Sequence, residues 1–384
     1  MEQMVIEVEK RVYTPGEYVT GKVIITLKKE INVSKLEIGL HGTAFTKWYR
    51  KVRRVMANRR NQNEVYGSSL EYTSGIEYVN DKIVKKAQEL NMRVGENIFL
   101  FSFKLPINCP SSYNGDKGLI KYKLNANLIQ KYRLDKKIHL TLDVRSRVDL
   151  NTIPISIEPK QLVTTKMYGS MFKKGMVELT VNIPKYGYAP GETIPIGVSI
   201  QNGSKTKIEK VKAELIQRGT LTAKICEVPG ANPYADDEDP PEEMEISETK
   251  RMTENKRKIE VMGESEGECM IPLRVPGITP TFSCCSIVSV DYFIRITIST
   301  GSAFGSDVTA GLTIMIGTVK VDPMLIDEES DELTSSEEVY VEDEDGEPLP
   351  TYEEAVYDTW NVDDGDVTSR TNSVRSRGAT GNHY

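Results

Sequence analysis

The sharpest recognition chemistry in the chain lies near its end, in Glu347-Pro348-Leu349-Pro350-Thr351-Tyr352. Two prolines one residue apart favour a polyproline II ridge, which small WW modules grip between aromatic rings. A second WW pocket takes a tyrosine two residues after the last proline, so Pro348, Leu349, Pro350, Thr351 and Tyr352 read as a WW-domain ligand. The same tyrosine offers a switch. Phosphate on Tyr352 adds about −2 charge and expels the ring from an apolar pocket. Further on, Arg370-Thr371-Asn372-Ser373 presents Ser373 to a basophilic kinase.

A second concentration of chemistry is cationic. Lys47, Arg50, Lys51, Arg53 and Arg54, followed by Arg59 and Arg60, are interleaved with Trp48 and Tyr49. Such a run can meet acidic lipid headgroups or a phosphorylated peptide, at about 1 kcal/mol per cation near an anionic membrane. It can equally be the wet edge of a strand and loop, the commoner fate of a charge run. Nucleic acid is a poor match, because no nucleic-acid motif accompanies the cations.

The inventory for catalysis is thin. Histidine occurs only as His41, His139 and His383. His139 falls in an alternating segment, His41 stands beside a glycine that suggests a turn, and His383 lies in the terminal segment. No phosphate loop or His-Glu-x-x-His is present. The five cysteines, Cys109, Cys226, Cys269, Cys284 and Cys285, form no metal-type spacing and suit free thiols in a reducing compartment. Adjacent Cys284 and Cys285 are expected on opposite faces of a strand, one buried and one half-exposed. We therefore expect no catalytic site, no cofactor and no metal.

The elements that must carry these groups are legible as a duplication. Tyr13-Thr14-Pro15-Gly16-Glu17 returns as Tyr188-Ala189-Pro190-Gly191-Glu192, and residues 31–42 align with 208–219. Pro106, Pro110 and Tyr122 keep the same spacing as Pro276, Pro280 and Tyr292. Pro-Gly is a type II turn signal, with proline presetting φ and glycine supplying positive φ. Alternating apolar residues follow, as in Val19, Gly21, Val23, Ile25 and Leu27, and again from Tyr122, Ile138 and Tyr292. One-face-wet alternation belongs to antiparallel sandwiches. Only residues 81–90 have a weak helical pattern, and residues 229–248 read as a long acidic loop.

Charge divides the chain. Residues 1–160 hold 28 Lys+Arg against 17 Asp+Glu, for a net +11; residues 161–321 carry −2 and residues 322–384 carry −16. A run as acidic as Asp327 to Glu332 cannot build a core, so the last sixty or so residues are expected to be disordered. The expected plan is a first sandwich over 1–155, a hinge over 156–170, a second sandwich over 171–321 and the acidic tail over 322–384. No apolar stretch reaches membrane-spanning length and the N-terminus lacks signal-peptide form, so a cytoplasmic protein is expected. The Asn32 and Asn202 sequons are then incidental.

The paired Pro-Gly-Glu turns together with the tail motif resemble the α-arrestins, the arrestin-domain-containing proteins, over nearly the whole chain. Tyr13 to Glu17 with Gly42 and Trp48, and Leu105-Pro106 through Gly118, Ile120 and Tyr122, resemble that family's first domain. Gly187 to Glu192, Asn202 with Ser204, and Ile314 to Gly317 resemble its second. Tyr352-Glu353-Glu354-Ala355 matches the end of its Pro-Pro-x-Tyr-x-Glu-Ala pattern.

The resemblance implies two arrestin-type, immunoglobulin-like β-sandwiches in tandem and an all-β body that docks on the cytoplasmic parts of membrane receptors or transporters. It implies that the tail recruits a HECT-type E3 ubiquitin ligase through its WW domains, with cargo ubiquitylated, endocytosed and sorted at plasma membrane and endosomes. Leu349 stands where the family has its first proline, and no Pro-Pro-x-Tyr motif stands elsewhere in the chain. Both departures weaken a contact that typically sits near 10 μM, about −7 kcal/mol. A phosphoreceptor-binding visual or β-type arrestin is the second reading, and a retromer-like sorting subunit the third.

Overall fold

A computed structural model describes residues 3–57, 63–131, 133–168, 175–226, 241–299 and 307–322. Its first half contains β1 (Gln3–Val8), β2 (Val12–Tyr13), β3 (Tyr18–Leu27), β4 (Val33–Ala57), β5 (Asn63–Lys86), α1 (Ala87–Leu90), β6 (Gly95–Lys104), β7 (Tyr113–Asn114), β8 (Gly118–Gln130) and β9 (Lys136–Val144). The second half adds β10 (Lys160–Tyr168), β11 (Gly175–Ile183), β12 (Gly187–Tyr188), β13 (Thr193–Asn202), β14 (Ile208–Ile225), β15 (Glu243–Val261), β16 (Ser265–Arg274), β17 (Val288–Ser299) and β18 (Val308–Ile316).

Each half is a sandwich of a small sheet and a large one. In the first, β1-β3-β6 faces β5-β4-β8-β9-β2; in the second, β10-β11-β13-β16 faces β15-β14-β17-β18-β12. Nearly every pairing is antiparallel, while the two-residue β2 and β12 each lie parallel to the last strand of their domain. Strict alternation buries one face: in β17 the residues from Val288 to Ile298 go in and out by turns, as do those of β8. The inward residues, such as Val23, Ile38 and Leu124 in the first core and Val198, Leu215 and Ile294 in the second, are fully buried. All-β tandem sandwiches are thus what the alternation builds.

The repeated turn explains itself in atoms. Gly16 and Gly191 have φ of 85° and 86°, as a type II turn requires. The glutamate that follows folds back, its Oε2 accepting from the Thr14 amide at 2.8 Å and from the Ala189 amide at 2.6 Å in the two copies. The proline-to-tyrosine echo is a pair of tyrosine corners. Tyr122 donates to the Pro110 carbonyl at 2.7 Å and Tyr292 to the Thr279 carbonyl at 2.6 Å.

Five local expectations are corrected. Residues 81–86 continue β5, and in this segment helix is confined to the single turn of α1, because exposed Lys82, Val84 and Lys86 alternate with half-buried Ile83 and Lys85 at strand spacing. Glu243 to Glu248 begin β15 and pair with β14, so charge there decorates a strand; residues 227–240 lie outside the described residues. Cys285 is buried and Cys284 exposed, but both sit in the loop before β17, where chain bends rather than pleat set their directions. His41 lies inside β4, since Gly42 marks a β-bulge and no turn. Within the span expected as a hinge, Lys160–Tyr168 form β10, which pairs along the whole of β11.

Candidate functional site

The two large sheets join. β17 stops pairing with β14 at Leu221, and on the edge it vacates Lys224 and Ile225 pair with Thr73 and Tyr72 of β5. Side chains tighten the seam: Thr46 Oγ1 donates to the Thr222 carbonyl at 2.8 Å, and the Cys226 amide to the Glu71 carbonyl at 2.8 Å. The β4–β5 hairpin, with strands of 25 and 24 residues, thereby runs from the first domain past the second.

The cationic run starts at this seam. Lys47, Arg50 and Lys51 are all on β4, and the backbone of Arg53 and Arg54 continues it, paired with Gly67 and Tyr66. The strand pleat divides the run. Trp48 turns inward, almost fully buried, and stacks on Tyr72 with centroids 6.0 Å apart and planes 9° from parallel. Lys47 turns outward to Glu71 at 2.9 Å and over the Tyr49 ring. The hydrogen bond to Glu71 raises the Lys47 pKa, and the same bond lowers that of Glu71. Arg50 and Lys51 are exposed. The structure therefore leaves Arg50 and Lys51 exposed and pairs Lys47 with a neighbour; the side chains of Arg53 and Arg54 lie outside the described residues, as do Pro348 to Tyr352 and Ser373.

A second set of contacts, missed in the sequence, holds the domains across the opposite side of the seam. Glu248 of β15 receives the Tyr113 hydroxyl at 2.6 Å and the amides of Asp116 and Lys117 at 3.1 Å. Burial, reinforced by this carboxylate, pushes the Tyr113 phenol far above its usual range. Arg145, just past β9, grips Asp143 at 2.6 Å with both side chains buried, and its guanidinium donates to the Ile278 carbonyl at 3.1 Å. Thr279 Oγ1 donates to the Ser112 carbonyl, and Val148 and Thr318 exchange backbone and hydroxyl bonds. The Asp-x-Arg spacing at 143–145 was the available signal. Alternation alone hid it, because an ionic pair at inward positions is read as a strand end.

His41 and His139 border one shallow depression of about 450 Å³ on the outer face of the first large sheet, with Asn125 and Lys82. His41 Nδ1 lies 3.8 Å from Glu77. Among the described residues no group of three or more His, Cys, Asp or Glu side chains is placed to hold a metal, and all five cysteines are free. Asn202 serves structure: it is 1% exposed and donates to the Thr206 and Met262 carbonyls, while Ser204 Oγ donates to it at 2.7 Å.

Two sandwiches joined by a shared sheet and latched by buried polar contacts define a tandem arrestin-domain protein. The arrestin (or S-antigen) N-terminal domain family matches residues 3–151, and the corresponding C-terminal domain family matches residues 173–321. Among curated proteins, arrestin domain-containing protein 4 of mouse is 26% identical over 318 residues, covering 81% of this chain and 69% of the relative. Its human counterpart is 26% identical over 326 residues, covering 82% and 71%. Human arrestin domain-containing protein 1 is 22% identical over 320 residues, covering 81% and 62%. The chain belongs to the α-arrestin family. Among the described residues no helix is long and apolar enough to cross a membrane.

Proposed function

We propose that this α-arrestin is an adaptor that links membrane cargo to a WW-domain HECT-type E3 ubiquitin ligase and so promotes cargo ubiquitylation, endocytosis and sorting. The observation that carries the reading is Leu349-Pro350-Thr351-Tyr352, a WW ligand, placed some thirty residues beyond a tandem arrestin body. The body supplies a rigid platform and the motif supplies the recruiting arm, with no catalysis by the chain itself. Work is then done at the cytoplasmic face of plasma membrane and endosomes. Arg50 and Lys51, continued by Arg53 and Arg54, are the cations we assign to phosphorylated cargo tails or acidic headgroups, and a glutamate at both Arg53 and Arg54 should weaken cargo capture.

The test is a pull-down of the full chain by WW domains of HECT ligases, with a ubiquitylation assay alongside. Loss of binding in a Pro350→Ala, Tyr352→Ala variant supports the reading, and a Tyr352-phosphorylated peptide should also fail to bind. No binding by either protein would move the weight to a receptor-binding arrestin.

A further inference from the structure

The end of the first domain farthest from the second is built by three connections: β3 to β4, β5 to β6, and the β8–β9 turn. The register places them together. Gly95 pairs with Leu27, Lys35 with Lys86, and the Lys131 amide donates to the Asn32 carbonyl at 2.9 Å. Residues 28–35, 85–96 and 130–137 contribute ten Lys/Arg against four Asp/Glu. In the β8–β9 turn Lys131, Arg133, Lys136 and Lys137 are all exposed, and none meets a carboxylate among the described residues.

Two aliphatic side chains stand out of this cationic ground. Leu134 is 90% exposed, more than any other large apolar side chain among the described residues, and Val94 of the neighbouring connection is 57% exposed. The turn is held rather than loose at that point, with the Gln130 side-chain amide donating to the Leu134 carbonyl at 3.1 Å. Cations around a protruding aliphatic are what a bilayer surface recognises: the charges meet acidic headgroups while the aliphatic enters the boundary with the acyl chains. A soluble polyanion offers nothing to Leu134 or Val94.

We propose that this pole, centred on Lys131, Arg133, Leu134, Lys136 and Lys137, docks on membranes rich in acidic lipid. The site is separate from the β4 cations, which leave the domain at its other end, and it does not rest on the ligase-adaptor reading. One consequence is orientation. A membrane contact at the far pole stands the long axis of the tandem body away from the bilayer, with the second domain outermost.

The experiment is co-sedimentation of the full chain with phosphatidylcholine vesicles, with and without about 30% phosphatidylserine. Binding is expected only with phosphatidylserine and should weaken with salt. Lys136→Glu with Lys137→Glu should lower the partition coefficient about tenfold or more, and Leu134→Ser should lower it several-fold with charge unchanged. All three positions are exposed, so unfolding temperature should stay put; Leu134→Ser reads the proposal even if the double variant misfolds. The proposal is overturned if these variants bind like the native chain, or if Arg50→Glu with Lys51→Glu alone abolishes binding. It is also overturned if inorganic phosphate or duplex DNA competes fully while Leu134→Ser has no effect, which would mark a soluble-polyanion site.

Discussion

The final strands of the two domains, β9 and β18, have one backbone and two purposes. Asp143 and Arg145 donate their amides to the Arg11 and Tyr13 carbonyls; Met315 and Gly317 donate theirs to Tyr186 and Tyr188 in the same pattern. Side chains at the equivalent positions differ completely. The first domain sets a buried Asp143–Arg145 pair there and sends the guanidinium across to Ile278. The second sets Gly317, where an added Cβ would lie 2.5 Å from Cγ of Leu150. One copy reaches out and the other makes room, so the interface comes from divergence laid over a conserved frame. The small sheets diverge too. β10 covers the edge of β11, whereas its counterpart β1 pairs on one side only.

The sharpest way to break this comparison is at Arg145. Arg145→Ala strands the Asp143 carboxylate inside the protein, and removing one partner of a buried ion pair costs about 3–5 kcal/mol. The loss should appear in domain-resolved hydrogen exchange as early opening of both β9 and the 276–287 loop, since the bond to Ile278 goes too. Joint replacement by Asp143→Leu and Arg145→Met should recover much of the stability, because a packed apolar pair avoids desolvating two charges. Recovery of stability without recovery of protection at Ile278 would show that the arginine joins the domains as well as filling space.

Why this pair escaped the sequence reading while the fold did not is a matter of which forces leave periodic traces. Alternation at Val19 to Leu27 and at Tyr292 to Ile298 is written by burial on one face, and it is visible residue by residue. The Pro-Gly turns are visible because only glycine is comfortable at φ of 85°. Long-range polar contacts leave no such trace: Glu248 is 132 residues from Asp116, and in sequence it is one acid in an acidic stretch. The β4–β5 hairpin was hidden differently. Its charges made Lys47 to Arg54 read as one surface, yet a period of two sends Trp48 into the core and Lys47 to Glu71.

The tyrosine corners sharpen the comparison at a middle scale. Tyr122 makes one strong bond, to Pro110. Tyr292, completely buried, donates to Thr279 and also accepts from the Gln217 amide at 2.6 Å. Burial raises both phenols well above their usual value, so both are neutral donors throughout the working pH range. Tyr122→Phe deletes the Pro110 bond and a weak contact with the Cys109 thiol and should cost about 1 kcal/mol, whereas Tyr292→Phe also orphans a buried amide and should cost about 2–3 kcal/mol. Equal losses, measured by hydrogen exchange in each core, would mean that Gln217 finds another acceptor.

The smallest difference sits in the repeated turn, where a lysine seven residues before the glutamate completes the motif in both copies. Lys10 meets Glu17 at 2.9 Å and Lys185 meets Glu192 at 2.7 Å, each lysine also lying about 5 Å from the ring of the tyrosine that follows it, Tyr13 or Tyr188. Exposure separates them: the Lys10 side chain is 50% exposed and that of Lys185 12%. Lys185→Ala should therefore cost about 1 kcal/mol, and Lys10→Ala no more than about 0.5 kcal/mol after solvent screening. The pH dependence fixes the sign. Burial works to raise the Glu17 pKa, but the Thr14 amide and Lys10 outweigh it and hold the carboxyl below its ordinary 4.5. A depressed carboxyl stabilises the fold above 4.5 and loses that contribution as pH falls through the lowered value. Lys10→Ala should move this loss to higher pH while leaving stability at neutral pH nearly unchanged. An acid transition that does not move would assign the depression of Glu17 to the turn amide alone, and the lysine of the first copy would be an ornament of the duplication.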